Sequence, residues 1–178
     1  MIRSVDVRAA RPDDGLAPGL ADVLIDCVDG GASLGFMRPL THVRALAFWA
    51  EVLDRAGRGE LIVLVAEERE TGAVVGTVQV ILSMPENQPH RGEISKMLVH
   101  RRARRRGIGE ALMRAAEAAA LDAGKRLMVL DTASGDAERL YDRLGWQRVG
   151  LIPDYALGPT GDLVTTTVFY KELTPRTP

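Results

Sequence analysis

A chain of 178 residues with 46% hydrophobic and 26% charged residues has the size and composition of one globular domain, not of a disordered or fibrous protein. A formal net charge of -1 supplies no overall attraction to nucleic acid or an anionic membrane, so any anion binding has to come from local clustering. The single cysteine, Cys27, excludes an intrachain disulfide and a thiolate metal cage; Arg3, Asp6, Arg8 and Arg11 interrupt any signal-like stretch, and with no run of membrane-spanning length the expected location is the cytoplasm.

Ser4 to Ala9 alternates as a strand does. Asp13 and Asp14 then offer caps for a helix with apolar positions at Leu16, Leu20, Val23, Leu24 and Val28, stopped by Gly30 and Gly31. The following loop, Gly30 to Met37, is glycine-rich yet ends in two large apolar residues, which suits a segment that closes over a ligand. Thr41 caps a second helix with Leu46, Ala47, Ala50 and Leu53 on one face, ending near Gly57. Leu61 to Ala66 and Val74 to Leu82, joined by Thr71-Gly72, read as an antiparallel hairpin, and a turn region from Pro85 to Gly92 leads to the strand Glu93 to Val99.

From Ile108 the period becomes helical, with Ile108, Leu112, Ala115 and Ala119 recurring up to Gly124. Leu127 to Asp131 is a short buried strand. Ala137, Leu140, Tyr141 and Leu144 mark a short helix ended by Gly145, and two strands follow, around Gln147 to Leu151 and Val164 to Lys171. The strand–helix–strand unit from Glu93 to Asp131 demands a locally parallel pair, so the sheet is mixed and the fold class is α/β. The expected organisation is a single domain over residues 1–173 and a disordered tail over 174–178.

The sharpest chemical signal is the segment from Val99 to Leu112, which holds five arginines within Arg101 to Arg106 and then Gly107-Ile108-Gly109 at the start of a helix. A helix N-terminus presents unpartnered N–H groups and the positive end of the helix dipole, so it suits phosphate. Gly107 and Gly109 carry no side chain to keep a pyrophosphate away, and neighbouring arginines add charge-assisted hydrogen bonds. Composition alone leaves two other readings, a solvated basic approach to the helix or a nucleic-acid patch. The low aromatic content of 4% offers no stacking platform for the latter.

Arg104 to Gly109 resembles the acetyl-CoA signature of the GNAT superfamily of N-acetyltransferases: Arg or Gln, two variable residues, Gly, one variable residue, Gly or Ala. The order of elements along nearly the whole chain matches that superfamily too. The resemblance implies a GNAT fold, with a mostly antiparallel sheet splayed at a central parallel pair and helices on both faces. It implies acetyl-CoA as cosubstrate and no metal. The cofactor would lie along Met97, Leu98 and Val99, with Arg104, Arg105, Arg106, Gly107, Gly109 and Glu110 around its pyrophosphate.

Acetyl transfer to an amine needs a neutral nucleophile, an oxyanion stabiliser and a proton for the departing thiolate. A lysine-like amine of pKa ~10.4 costs roughly 4.6 kcal/mol to deprotonate at pH 7, an α-amine near ~8 only about 1 kcal/mol. The run Ala137 to Trp146 resembles the superfamily's second motif, whose tyrosine faces the thioester sulfur, and this makes Tyr141 the candidate acid. By period alone Tyr141 reads as a core residue. Ser134 stands where many members carry an asparagine that touches the cofactor, with a shorter reach. Glu93 and Asp131, each at a strand end beside the expected splay, are the two candidate bases, although a carboxylate in such a place is more often solvated or, for Asp131, a turn cap.

Gly30 to Met37, Glu93 to Val99, Leu130-Asp131-Thr132, Val149-Gly150 and Pro153-Asp154-Tyr155 further resemble tabtoxin-resistance-type acetyltransferases, which modify the α-amine of a small β-lactam amino acid. That resemblance implies Glu93, Asp131 and Tyr141 at the reacting site, with Ser33, Phe36, Met37 and Tyr155 around the acceptor. The implied partner is a small-molecule amine, not nucleic acid or membrane, and a homodimer is left open. An acyl-CoA-binding sensor without turnover is the alternative on the same fold.

Overall fold

The computed structural model describes residues 5–11 and 14–174. Ser4, Asp13 as a helix cap and the tail from Pro175 to Pro178 lie outside them. The elements run β1 (Val5–Ala9), α1 (Ala17–Asp29), α2 (His42–Gly57), β2 (Leu61–Glu68), β3 (Val74–Ile81), β4 (Arg91–Val99), a 3-10 turn (Arg101–Ala103), α3 (Ile108–Asp122), β5 (Leu127–Thr132), α4 (Gly135–Arg143), β6 (Gln147–Leu157) and β7 (Leu163–Glu172). They form one mixed sheet in the order β1-β2-β3-β4-β5-β7-β6, parallel at β4–β5 and antiparallel elsewhere. The expected α/β class and the central parallel pair are both present.

Alternation along each strand separates the two faces. Val78, Val80, Ile94, Met128 and Leu130 pack against Ile108, Leu112, Met113 and Ala116 of α3 and against Leu140 and Tyr141 of α4. On the opposite face Leu61, Val63, Val65 and Leu98 meet Leu20, Leu24 and Val28 of α1 and Trp49 of α2. Each large apolar side chain removed from water in these layers is worth about 1.5–3 kcal/mol.

The helix ends are set by short-range chemistry. Thr41 caps α2 by accepting the Arg44 N–H at 3.3 Å, as the sequence predicts. Asp14 does not cap α1: its carboxylate accepts the Arg11 N–H at 2.9 Å and pairs with Arg8, and the helix begins at Ala17 with Pro18 in its first turn. Ser134 caps α4 by accepting the Ala137 N–H at 3.4 Å.

Irregular pairing in β4 and in β6 bears on the site. In β4, Gln79 faces Ser95 while Thr77 faces Leu98, which leaves one extra residue on β4, and Lys96 there takes the left-handed conformation, φ +49. Such a bulge bends its strand. In β6, Ile152 pairs with Thr166 and Ala156 with Val164, so two extra residues bow out around Asp154, at φ +51. Pro153 and Asp154 break the apolar pattern, which is why β6 reads as ending near Leu151 in sequence yet continues to Leu157. The β6–β7 hairpin leaves Val149, Leu151, Tyr155, Leu157 and Leu163 exposed.

Candidate active site

The parallel ladder between β4 and β5 is short. It runs from Arg91 beside Leu127 to Glu93 beside Val129, and beyond that β4 diverges while β5 stays paired with β7 through Thr132. The bulge at Lys96 lies on the diverging half, so the central strands open into a gap whose β4 wall continues straight into the arginine–glycine turn.

Gly107 is the N-cap of α3 at φ +75, a conformation that L side chains rarely adopt, and no side chain caps the helix. The first-turn N–H groups of Ile108, Gly109 and Glu110 therefore point out of the helix end without an intrahelical acceptor. Gly109 packs closely: a Cβ there would come within 3.1 Å of the Leu140 side chain, which would have to shift by a few tenths of an ångström. Glu110 in that first turn pairs with Arg114 at 2.9 Å.

The arginines have separate tasks. Arg101 holds Asp26 of α1 through its backbone N–H at 2.8 Å and its Nε at 3.0 Å. Arg102 and Arg106 converge on Glu68 at the end of β2, each at 3.1 Å, and they keep its carboxyl below the usual range. Arg104 folds back to donate from Nε to the Val99 carbonyl at 3.2 Å, an oxygen that the Cys27 thiol also approaches at 3.6 Å. Burial pushes the Cys27 thiol up, which keeps it protonated. Arg105 takes φ +59 immediately before the glycine turn. A run with three of its five cations already matched to carboxylates is poorly suited to a polyanion, and it frames the turn with fixed charge instead.

Across the gap, Tyr141 is buried at 4% exposure, its ring edge-on to Phe169 at 5.7 Å and tilted against Trp146 at 6.0 Å. Its hydroxyl has no hydrogen-bond partner among the described residues. Burial, and behind it the charge of Asp131, raises the phenol well above its ordinary value near 10. Tyr141 is thus both a core side chain, as its period implies, and a protonated group within the field of Asp131.

The two carboxylates differ in their surroundings. Met128 and Leu130 face α3, so Asp131 turns to the α2 face, where Oδ2 accepts the Thr166 hydroxyl at 2.8 Å. Glu93 sits at the last parallel pair, 46% exposed, and pairs with Arg91 at 2.7 Å. Asp131 belongs to the open gap, and Glu93 marks where the gap begins.

The loop between α1 and α2 reaches over to the β6–β7 hairpin. Ser33 donates to the Leu157 carbonyl at 3.4 Å and the Arg38 N–H to the Pro159 carbonyl at 3.0 Å. Phe36 packs edge-on against Phe48 of α2 at 5.2 Å, while Met37 and Tyr155 remain exposed at 41% and 54%. Ser33 and Phe36 thus anchor this loop, Met37 and Tyr155 contribute open surface, and the Ser134 hydroxyl is engaged at its helix cap.

Lys96 was not singled out in the sequence, where it is one residue within a strand. The bulge turns it to the α2 face, its Nζ 5.8 Å from the centre of the Phe48 ring. Glu68 and Asp26 were also missed, because nothing local links them to arginines 34 to 75 residues away. A surface depression of about 530 Å³ lined by Leu16, Ala50, Leu53 and Arg58 lies at the far ends of α1 and α2, away from the gap. Among the described residues no group of three His, Cys, Asp or Glu side chains is placed to hold a metal, and no helix is long and apolar enough to cross a membrane.

Residues 34–146 match the model of the Acetyltransferase (GNAT) family. Among solved structures of the same fold, yncA from Salmonella typhimurium with its cofactor acetyl-CoA is 22% identical, over 98% of this chain and 96% of that one, with a TM-score of 0.78. A phosphinothricin acetyltransferase from Sinorhizobium meliloti in complex with AcCoA is 20% identical, over 95% and 88%, at 0.79. A ribosomal-protein-alanine N-acetyltransferase from Brucella melitensis is 23% identical, over 94% and 99%, at 0.78.

Proposed function

The chain belongs to the GNAT acetyltransferase family, an acyltransferase working with acetyl-CoA, and from that premise we propose that it acetylates the primary amine of a small, amino-acid-like molecule. The observation that carries this reading is the gap between β4 and β5, with Asp131 on one wall, Tyr141 beside it and the Gly107 turn at its mouth.

The donor set fits a cofactor bearing a pyrophosphate. The open first turn of α3 offers N–H donors at the positive end of the helix dipole, and the left-handed Gly107 leaves that end uncovered. Met97, Leu98 and Val99 form the wall along which the pantetheine arm would lie, and Arg105 and Arg104 stand beside the turn. Bound acetyl-CoA supplies a thioester carbonyl activated towards amines.

The chain's own residues then have distinct tasks. Asp131, oriented by Thr166, takes the acceptor's ammonium and relays its proton directly or through one water to solvent; leaving an α-amine near ~8 neutral costs about 1 kcal/mol at pH 7. Tyr141, protonated throughout the physiological range, holds the proton destined for the leaving sulfur. Phe36 holds the loop against α2 and Ser33 ties it to the hairpin, and Met37 and Tyr155 provide apolar surface near the acceptor. Detoxification of a β-lactam amino acid, as in tabtoxin-resistance-type enzymes, is one chemistry that such a site serves.

The test is thiol release from acetyl-CoA across free amino acids, aminated antibiotics, polyamines and peptides. Turnover of a small amine is the expected result. Tight acetyl-CoA binding with no acceptor-dependent thiol release across that panel would instead mark a sensor.

A further inference from the structure

We infer that Lys96 recognises a free carboxylate on the acceptor, so that the molecule acetylated is an α-amino acid or close analogue carrying both charges, and neither a simple amine nor a protein N-terminus. The inference rests on the acetyl-transfer reading above and assigns its substrate class.

Lys96 is placed by an uncommon backbone. Its left-handed conformation at the extra residue of β4 is the feature that bends the strand away from β5, and the same bend sends its side chain over Phe48 on the α2 face. A positive φ at a non-glycine residue is strained. The ammonium so placed is poorly compensated. Among the described residues it has no carboxylate within ion-pair distance and no hydrogen bond, only the ring face and the charge of Asp131 across the gap. Burial outweighs that charge and lowers the lysine from its ordinary value, so an anion arriving in the gap would restore what desolvation removes.

Two further donors on the same face lack acceptors. Gln79 lies between Val78 and Val80, which face α3, so it points to the α2 side, opposite Ser95 and next to the bulge. Its Nε2 is buried without a partner, as is Nε1 of Trp49 on α2. Buried donors are almost always satisfied, and those that are not call for an acceptor atom or water that completes them. The β4 wall of the gap thus carries the Lys96 ammonium with the Gln79 amide next to its bulge, and the β5 side carries the acceptor-only Asp131. An α-amino acid matches that polarity: its ammonium faces Asp131 and, held on the same carbon, its carboxylate faces Lys96. A protein N-terminus has the amine but an amide in place of the carboxylate, and would leave Lys96 unpaired.

The experiment compares free amino acids with their carboxamides and with short peptides bearing the same first residue, by thiol release from acetyl-CoA with the full chain. The best free amino acid should exceed its amide in kcat/KM by about 10- to 100-fold, the range of a hydrogen bond to a charged group. Lys96→Met should bring that ratio close to one through KM for the amino acid, and Lys96→Arg should retain most of it. Amides or peptides acetylated as well as free amino acids would overturn the inference, as would a ratio that survives in Lys96→Met. The wild-type ratio decides the class even if a variant fails to fold. Acetylation confined to simple amines or peptides also overturns it while leaving acetyl transfer intact, and a separate calorimetric titration with acetyl-CoA shows whether the cofactor reading stands.

Discussion

The glycine turn and the acceptor side of the gap meet at the end of β4, yet they are built in opposite ways. The turn is contiguous: Val99 to Glu110 carries the strand end, the left-handed Gly107 and the first turn of α3 in twelve consecutive positions. The proposed acceptor side is assembled from separate elements, with Lys96 from β4, Asp131 from β5, Thr166 from β7, Phe48 from α2 and the loop after α1. A cofactor shared by many enzymes can be held by backbone donors that any sequence offers at a helix end, so a short motif suffices. An acceptor is distinguished by side chains, which the fold gathers from positions that vary independently.

The largest effect expected from this contrast falls on the turn. Gly107→Asp places a carboxylate in the phosphate path and should abolish detectable acetyl-CoA binding by calorimetry with the circular dichroism spectrum unchanged. Equal affinity in wild type and variant would mean that the turn does not hold the cofactor.

Next comes the proposed acid. Tyr141→Phe keeps the ring against Phe169 and Trp146 and removes only the hydroxyl, so kcat should fall by about 10²- to 10⁴-fold with little change in acetyl-CoA affinity. A descending limb lost in the variant is the usual mark of an acid, but burial places that limb beyond the working range here. Because the folded-state value lies above the ordinary 10, the phenol stays protonated as pH rises, and wild-type activity should show no descending limb from Tyr141 below about pH 10. Near-wild-type kcat for Tyr141→Phe, with chemistry rate-limiting, would leave solvent as the proton donor.

The two carboxylates should separate by a smaller margin. With an α-amine as acceptor, Asp131→Asn should cost roughly tenfold at pH 7 and recover as pH rises towards the amine's own pKa near ~8. Glu93→Gln, outside the gap and already paired with Arg91, should change kcat/KM by no more than about twofold. A loss in Asp131→Asn that is constant across pH would assign it to positioning, and the reverse ranking would move the reacting centre down the strand pair.

The smallest effect belongs to Glu68, which ties the turn to β2. Its carboxyl is lowered by hydrogen bonds from Arg102 and then Arg106. A depressed folded-state value contributes stability that is present above the unfolded value of 4.5 and is lost as pH falls through the folded one. Glu68→Gln should therefore lower the melting temperature by about 1–3 °C at pH 7 and by progressively less below pH 4.5. A difference independent of pH would show that the pairing does not contribute.

Period, turn residues and one arginine–glycine motif carried the element order, the mixed sheet and the glycine turn before α3, because each depends on neighbours within a few positions. Thr41 as a cap, Gly107 before α3 and the apolar stripe from Ile108 to Ala119 were legible for that reason. The same local logic misplaced the start of α1, where Arg8 and the Arg11 N–H take the Asp14 carboxylate away from the helix. It also ended β6 early, because the pairing with β7 that carries the strand past Pro153 to Leu157 is non-local. What only the tertiary structure decided is which groups share the gap: the bulge that turns Lys96 inward is a mismatch between β3 and β4, and the separation of Asp131 from Glu93 follows from where β4 leaves β5. Registers between strands are relations between distant segments, and no single segment contains them.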